Sequence, residues 1–227
     1  MGKQTCRAFD EEVIPVSKLN QRVSFDLWGP ACVKATSGKY YMMLGCGGAG
    51  VKGWFLADKT METTGAVLEA YHVESEQQTG KKLLVVCTDE GLEFINSIWS
   101  TYTTKFNIKH ETTASHSSAA NGVVEHMNRT TLDRGHSMIN GSGLPAYYWG
   151  EAMATAIHVS DFILSLRHAG KTPHEIREGR KPDVAYLRLF GCIAYAKVPK
   201  EDNGSKLMWI KGVLIGYSGP GDYKILD

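Results

Sequence analysis

A chain of 227 residues, 43% hydrophobic and 22% charged, has the make-up of a globular protein with one good core and room for a small appendage. No apolar run approaches the roughly 18 residues that cross a bilayer, and no basic-then-apolar leader opens the sequence, so a soluble chain with no membrane segment is expected. The formal net charge of +1 hides an asymmetry: residues 1–165 hold 14 Lys and Arg against 17 Asp and Glu, residues 166–227 hold 11 against 7, and the tail is the basic part.

Residues 1–22 are polar and unpatterned. Val23–Trp28, Tyr40–Cys46 and Gly53–Ala57 read as three successive strands, parted by Thr36-Ser37-Gly38 and by Gly45, Gly47, Gly48 and Gly50, which predicts a meander. From Thr60 to Gln78, Val67, Leu68, Tyr71 and Val73 fall at helical spacing, and Gly80 supplies the stop. Leu83–Cys87 is a short continuous apolar run with two adjacent valines, which predicts a strand buried on both faces with Asp89 emerging at its C-terminal edge. Open α/β sheets place their chemistry at that edge. Phe94, Ile98, Trp99, Tyr102 and Phe106 predict a helix facing the sheet, and Ile108–Thr112 a last short strand.

Ala114–Ala120 reads as a mobile surface loop leading into a helix that carries Glu125 in its first turn, with Asn121 as its cap. Ala146–Leu166, after Pro145, predicts a further helix with Trp149, Met153, Ala156, Ser160 and Ile163 along one stripe. The tail from Lys171 carries four of the seven prolines and two strand-like runs, Cys192–Val198 and Val213–Tyr217.

The five cysteines, Cys6, Cys32, Cys46, Cys87 and Cys192, are odd in number and never form a Cys-x-x-Cys pair, which argues against a zinc site and a disulfide framework and for a reducing compartment. Met1-Gly2 opens like a myristoylation signal, but Cys6 stands where Ser or Thr is needed. No targeting signal is visible. The histidines His116, His126 and His136 fit no zinc spacing and read as surface residues, and Trp99, Tyr102, Tyr147 and Trp149 read as core rather than as base-stacking platforms.

Asp26 lies between Phe25 and Leu27 in a strand-like run, where a lone carboxylate is costly unless it is paired or metal-bound. Asp89 taken alone could be a turn aspartate, and Glu125 taken alone could complement a helix dipole. Brought together, the three would make a divalent-metal site of the kind magnesium prefers, hard oxygens from separate elements.

The segments Asp26-Leu27-Trp28-Gly29-Pro30, Thr88-Asp89-Glu90-Gly91-Leu92-Glu93-Phe94, Asn121-Gly122-Val123-Val124-Glu125-His126-Met127-Asn128-Arg129-Thr130 and, later, Lys181-Pro182-Asp183-Val184 through Leu187-Arg188-Leu189-Phe190-Gly191-Cys192 occur in one order, with 35 residues between Asp89 and Glu125. In that order they resemble the integrase of copia-type LTR retrotransposons, particularly fungal ones, over nearly the whole chain. The resemblance implies an α/β fold of the ribonuclease-H-like type, a mixed five-stranded sheet flanked by helices over residues 20–167. It implies an arm over residues 1–19 that follows a zinc module absent from this sequence, and a partial, basic SH3-like extension over residues 168–227. The implied activity is metal-dependent polynucleotidyl transfer in DNA integration, 3′-end processing followed by strand transfer. Asp26, Asp89 and Glu125 would hold two Mg2+ or Mn2+ ions, Asp26 bridging both. Asn121, Arg129, Lys105 and Lys109 would touch nucleic acid, although a solvated face accounts equally for the two lysines. Element ends and target DNA are the implied partners, with a homo-oligomer acting in the nucleus or cytoplasm.

The sequence departs from the family at three places. Asp89-Glu90-Gly91-Leu92-Glu93-Phe94 stands where Asp-Asn-Gly-Gly-Glu-Phe is usual, no acidic residue lies near Cys46 and Gly47, and Ser117-Ser118-Ala119-Ala120 replaces a Ser-Pro-Gln-Gln type of loop. None removes an expected ligand. The competing reading is a catalytically inactive or domesticated remnant that binds nucleic acid or protein. A general ribonuclease-H-like nuclease would share the acids but leave the Asn-Gly-x-x-Glu helix and the tail without a role.

Overall fold

Alternation in Arg22–Trp28 sends Val23, Phe25 and Leu27 to one side of the strand and Ser24, Asp26 and Trp28 to the other, and the computed structural model builds a layer of helices on each side. It describes residues 20–48, 50–113, 118–164, 170–197 and 209–227. The strands β1 (Arg22–Trp28), β2 (Tyr41–Gly47) and β3 (Gly50–Leu56) form the expected antiparallel meander. After α1 (Met61–Thr79), β4 (Val85–Asp89) pairs parallel to β1 on its other edge. Helix α2 (Ser97–Lys105) then returns the chain to β5 (Lys109–Thr113), parallel to β4. The sheet order is β3-β2-β1-β4-β5, so β1 and β4 are both central. This is the expected mixed five-stranded α/β sheet.

One core lies between the sheet and α1 and α2: Val23, Phe25, Leu68, Val86, Phe94 and Trp99 are buried, with Trp99 edge-on to Phe25 at 6.0 Å between ring centroids. The other lies under α3 (Ser118–Ser142) and α4 (Trp149–Ser160), where Met42, Leu44, Val124, Trp149 and Met153 are buried and Trp28 meets Trp149 edge-on at 5.5 Å. No helix among the described residues is long and apolar enough to cross a membrane.

Local chemistry sets α1 as the sequence predicts. The Thr60 side chain accepts from the Thr63 amide, and Gly80 closes the helix at φ 63, in the left-handed region. Val67, Leu68 and Tyr71 are buried, but Val73 is exposed, three residues being enough for the stripe. Phe106 likewise lies outside: it follows the end of α2 and packs on His72 at the surface. Tyr147, expected in the core, is exposed in a 3-10 turn ahead of α4.

Several boundaries differ from expectation; β3, for one, begins at Gly50 rather than Gly53. The fourth strand is Val85–Asp89 rather than Leu83–Cys87, so Asp89 is its last residue rather than two residues beyond its end. Helix α3 begins at Ser118, so part of the expected loop is helical, Asn121 lies within the helix and Glu125 is in its second turn; Ala119 and Ala120 are strong helix formers, which outweighs their lack of periodicity. Residues 1–19 and 114–117, including the arm, Cys6 and His116, lie outside the described residues. Helix α4 stops at Ser160, six residues short, because Asp161 is held elsewhere: its carboxylate takes two bonds from Arg177, at 2.6 and 3.1 Å, and its carbonyl accepts from the His174 amide.

Beyond α5 (Pro173–Glu178), β6 (Ile193–Lys197), β7 (Trp209–Gly219) and β8 (Asp222–Leu226) form a three-stranded antiparallel sheet whose inner face packs on α4. Two of these strands were legible in the sequence, with β7 longer than its predicted run, while β8 was not. Tyr217 ties the segment between α5 and β6 to this sheet, its hydroxyl accepting from the Arg188 amide and donating to the Arg188 carbonyl.

Candidate functional site

Asp26 sits in the middle of β1 on the side covered by α3 and α4, paired across β2 with Leu44. Ser24 of β1 stands beside Cys87 of β4, and the same offset carried two residues on brings Asp26 level with Asp89. The ladder between the two strands ends at Ser24 and Cys87, two residues before the acids, so both carboxylates lie where β1 and β4 part. Helix α3 crosses this side with Val124, Asn128, Thr131 and Gly135 turned inward, a stripe at helical spacing. Glu125, next to Val124, is on the exposed flank of that stripe.

The carboxyl of Asp26 has its pKa raised above the ordinary aspartate value, chiefly by burial, with the charges of Asp89 and Glu125 adding to the effect. Against this, the Asn128 side-chain amide donates to Asp26 Oδ2 at 2.6 Å and favours the ionised form. Asn128 is the site residue that reasoning from sequence missed. Its signal was available in its position four residues after Val124, which places a polar side chain on the inward stripe of the same helix. The oxygen of the same amide, Asn128 Oδ1, is buried and has no hydrogen-bond partner among the described residues.

The loop after Asp89 is held by local geometry. The Gly91 amide donates to Asp89 Oδ1 at 3.1 Å, and a Cβ on Gly91 would stand 3.0 Å from that oxygen and 2.9 Å from the Glu93 carboxyl carbon. Leu92, in place of the family's second glycine, points outward at 77% exposure, so the loop accommodates it without cost to the core. Glu93 accepts through its carbonyl from Thr64 of α1 at 2.7 Å, which ties the loop to the α1 side.

Of the expected nucleic-acid contacts, Arg129 is exposed on α3 four residues after Glu125, on the same flank. Asn121 is in α3, its side chain outside the described residues. The two lysines are not brought to the acids. Lys109 starts β5, at the opposite end of that strand from Thr113, which pairs with Asp89, and its amine is 2.7 Å from Glu111. Lys105 ends α2, on the other side of the sheet, over the Phe106 ring.

In kind, the donors suit a hard divalent cation: carboxylates on one side of the sheet, with a mutual repulsion that a cation would relieve. Their arrangement is open, since among the described residues no three carboxylate, histidine or cysteine side chains stand together closely enough to hold one ion.

The raised Asp26 pKa gives a signed expectation for the metal-free chain. An acid whose folded pKa exceeds its unfolded value binds more protons when folded, so stability at this site falls as pH rises from the unfolded pKa, near the ordinary value of 3.8, to the folded one. Asp26→Asn removes that segment of the profile. Chemical denaturation across pH should therefore show the variant gaining on wild type through this window and holding a constant advantage above it. Parallel profiles would contradict the burial of Asp26.

No family model matches the chain. It is 32% identical over 218 residues to the retrovirus-related Pol polyprotein from transposon TNT 1-94 of Nicotiana tabacum, a match that covers 95% of this chain and 16% of the relative. A second relative, the Pol polyprotein from transposon RE2 of Arabidopsis thaliana, is 22% identical over 188 residues, 82% of this chain and 13% of the relative. The chain thus spans about a sixth of the first relative's length. Among solved structures, the HTLV-2 integrase catalytic core domain in complex with magnesium matches with TM-score 0.51 at 22% identity, covering 70% of this chain and 96% of that one. A chain of a simian T-cell lymphotropic virus intasome in complex with the PP2A regulatory subunit B56 gamma matches with TM-score 0.55 at 15% identity, covering 86% of this chain and 68% of that one. At these identities the structures speak for the fold, which is that of the ribonuclease-H-like integrase core.

Proposed function

We propose that this chain, a relative of the retrovirus-related Pol polyproteins of transposons with the fold of an integrase catalytic core, is the integrase segment of a copia-type retrotransposon, acting by metal-dependent polynucleotidyl transfer on DNA. In this reading residues 20–167 are the catalytic core and residues 168–227 a basic, partial SH3-like extension. The observation that carries it is a carboxylate, Asp26, half-buried on a central strand within the electrostatic reach of Asp89 and Glu125. A fold gains nothing from such an arrangement without a cation, because burying a charge beside like charges is destabilising.

Asp26, Asp89 and Glu125 would hold two magnesium or manganese ions. When bound, such a pair supplies charge neutralisation at phosphorus and a lowered pKa for the attacking oxygen. The chain's own residues do the rest. Asn128 orients the Asp26 carboxylate through its 2.6 Å bond, and the Gly91 amide orients that of Asp89. Glu125, on an exposed flank, leaves the site open to a substrate as large as a DNA end, and Arg129 on the same flank is placed to meet a backbone phosphate. DNA is the partner, and a homo-oligomer the working form.

Incubating the chain with oligonucleotides that match the element's terminal repeats, in magnesium or manganese, should yield trimmed 3′ ends and joined products. Absence of both in either metal, with the protein folded, would favour a binding remnant instead.

A further inference from the structure

The three-stranded sheet is one-sided. Its inner face is spent on α4: Leu214 is 3% exposed, and a Cβ on Gly216 would lie 3.2 Å from the Thr155 hydroxyl of α4. Its outer face is open, and the register of β6 on β7 specifies what that face carries. Ile193, Tyr195 and Lys197 stand directly opposite Val213, Lys211 and Trp209, and directly opposite residues project to the same side. Ile193, Tyr195 and Trp209 are 60, 63 and 57% exposed, and both lysines are exposed too. Since Trp209 faces Lys197, two residues on from Tyr195, the two aromatic rings are diagonal neighbours, about 7–8 Å apart at the backbone, with a lysine on each of the other two corners.

We propose that this face is a platform for single-stranded nucleic acid, with Tyr195 and Trp209 stacking on unpaired bases while Lys197 and Lys211 meet the intervening phosphates. The alternation of aromatic and cation, with no acid among these six residues of β6 and β7, is what distinguishes this patch from an ordinary apolar one. Flat aromatic faces at such exposure match the faces of unpaired bases, which a duplex keeps stacked on one another, and lysines between them match a charge on every nucleotide. A protein partner would instead have to bring carboxylates to both lysines or bury them unpaired. The platform belongs to the tail, so it goes beyond the reading of the acids and does not rest on it.

The test is fluorescence anisotropy of the whole 227-residue chain with a labelled thymidine oligonucleotide and, separately, with a duplex. Tyr195→Ala and Trp209→Ala should each weaken single-strand binding by on the order of tenfold and duplex binding much less, while Trp209→Phe, which keeps a stacking ring, should retain most of the affinity. Lys197→Gln and Lys211→Gln should each flatten the log-log salt dependence by about 0.7. The aromatic side chains are exposed, so an unchanged melting temperature is the control for folding, and the Phe and Gln variants carry the test without it. Unchanged single-strand affinity in the double Ala variant, equal losses on single strand and duplex, or a Phe variant as weak as the Ala variant would each overturn the platform. So would a wild-type dimer in sedimentation that the double Ala variant dissolves, which would make the face a contact between copies.

Discussion

Asp89→Asn is expected to abolish strand transfer, by at least about a thousandfold, the scale of about 4 kcal/mol of transition-state stabilisation, while leaving the fold intact. The fold should persist because the local bond at this position asks only for an oxygen: the Gly91 amide donates to Oδ1 at 3.1 Å, and an asparagine offers the same acceptor in the same place. Removing the charge also lessens the repulsion that Asp26 feels, so the metal-free variant should be no less stable than wild type. Magnesium separates the two. A ligand that binds only the folded state stabilises it by mass action, about 2.7 kcal/mol at a hundred times its Kd, so the wild-type melting temperature should climb with millimolar magnesium and that of the variant much less. If wild type joins no terminal-repeat DNA and neither protein responds to magnesium or manganese, the chain is a remnant that binds without chemistry. If the variant joins DNA as well as wild type, the acids have been given the wrong role.

Trp99→Ala is expected to cost about 3–5 kcal/mol of stability, a large share of the roughly 5–15 kcal/mol that holds a domain together. Trp99 is wholly buried where three elements meet, edge-on to Phe25 of β1 at 6.0 Å and to Phe94 at 5.2 Å. Its indole N–H donates to the Thr64 hydroxyl of α1 at 3.2 Å, and that hydroxyl donates in turn to the Glu93 carbonyl in the loop after Asp89. The cavity left by alanine would therefore loosen the sheet, α1 and the loop that carries the second acid together. Trp99→Phe should lose less, since it keeps an aromatic ring in the cavity and leaves the Thr64 hydroxyl with its Glu93 partner. Leu92→Ala, at 77% exposure five residues past β4's centre of burial, should move stability by no more than about 0.5 kcal/mol. Urea titration at neutral pH ranks the three, and a Trp99→Ala loss as small as that of Leu92→Ala would mean that this core is not packed as described.

What the sequence determined alone is what depends on a few consecutive residues. Helix α1 falls between Thr60 and Gly80 because a hydroxyl cap and a left-handed glycine act within one turn, and the strand character of Arg22–Trp28 and Val85–Asp89 follows from alternation and from an apolar run. Asp26 stood out for the same reason, as a charge set among residues that must be buried. Tertiary structure decided everything that depends on partners far along the chain. Strand order is not a property of any strand, so the parallel pairing that brings Asp26 level with Asp89 appears only once β4 has crossed over α1. The Asn128 bond to Asp26 spans 102 residues, and the Arg177 ion pair that ends α4 at Ser160 spans 16; neither leaves a local signature in composition or period. Lys109 looked free for phosphate until β5 set it beside Glu111, and the aromatic and basic residues of the tail became one surface only through the register of β6 on β7. Local rules fix which segments are helix or strand because backbone hydrogen bonds and caps close over a few residues, whereas burial and pairing of side chains are settled by whichever distant segment arrives to exclude the water.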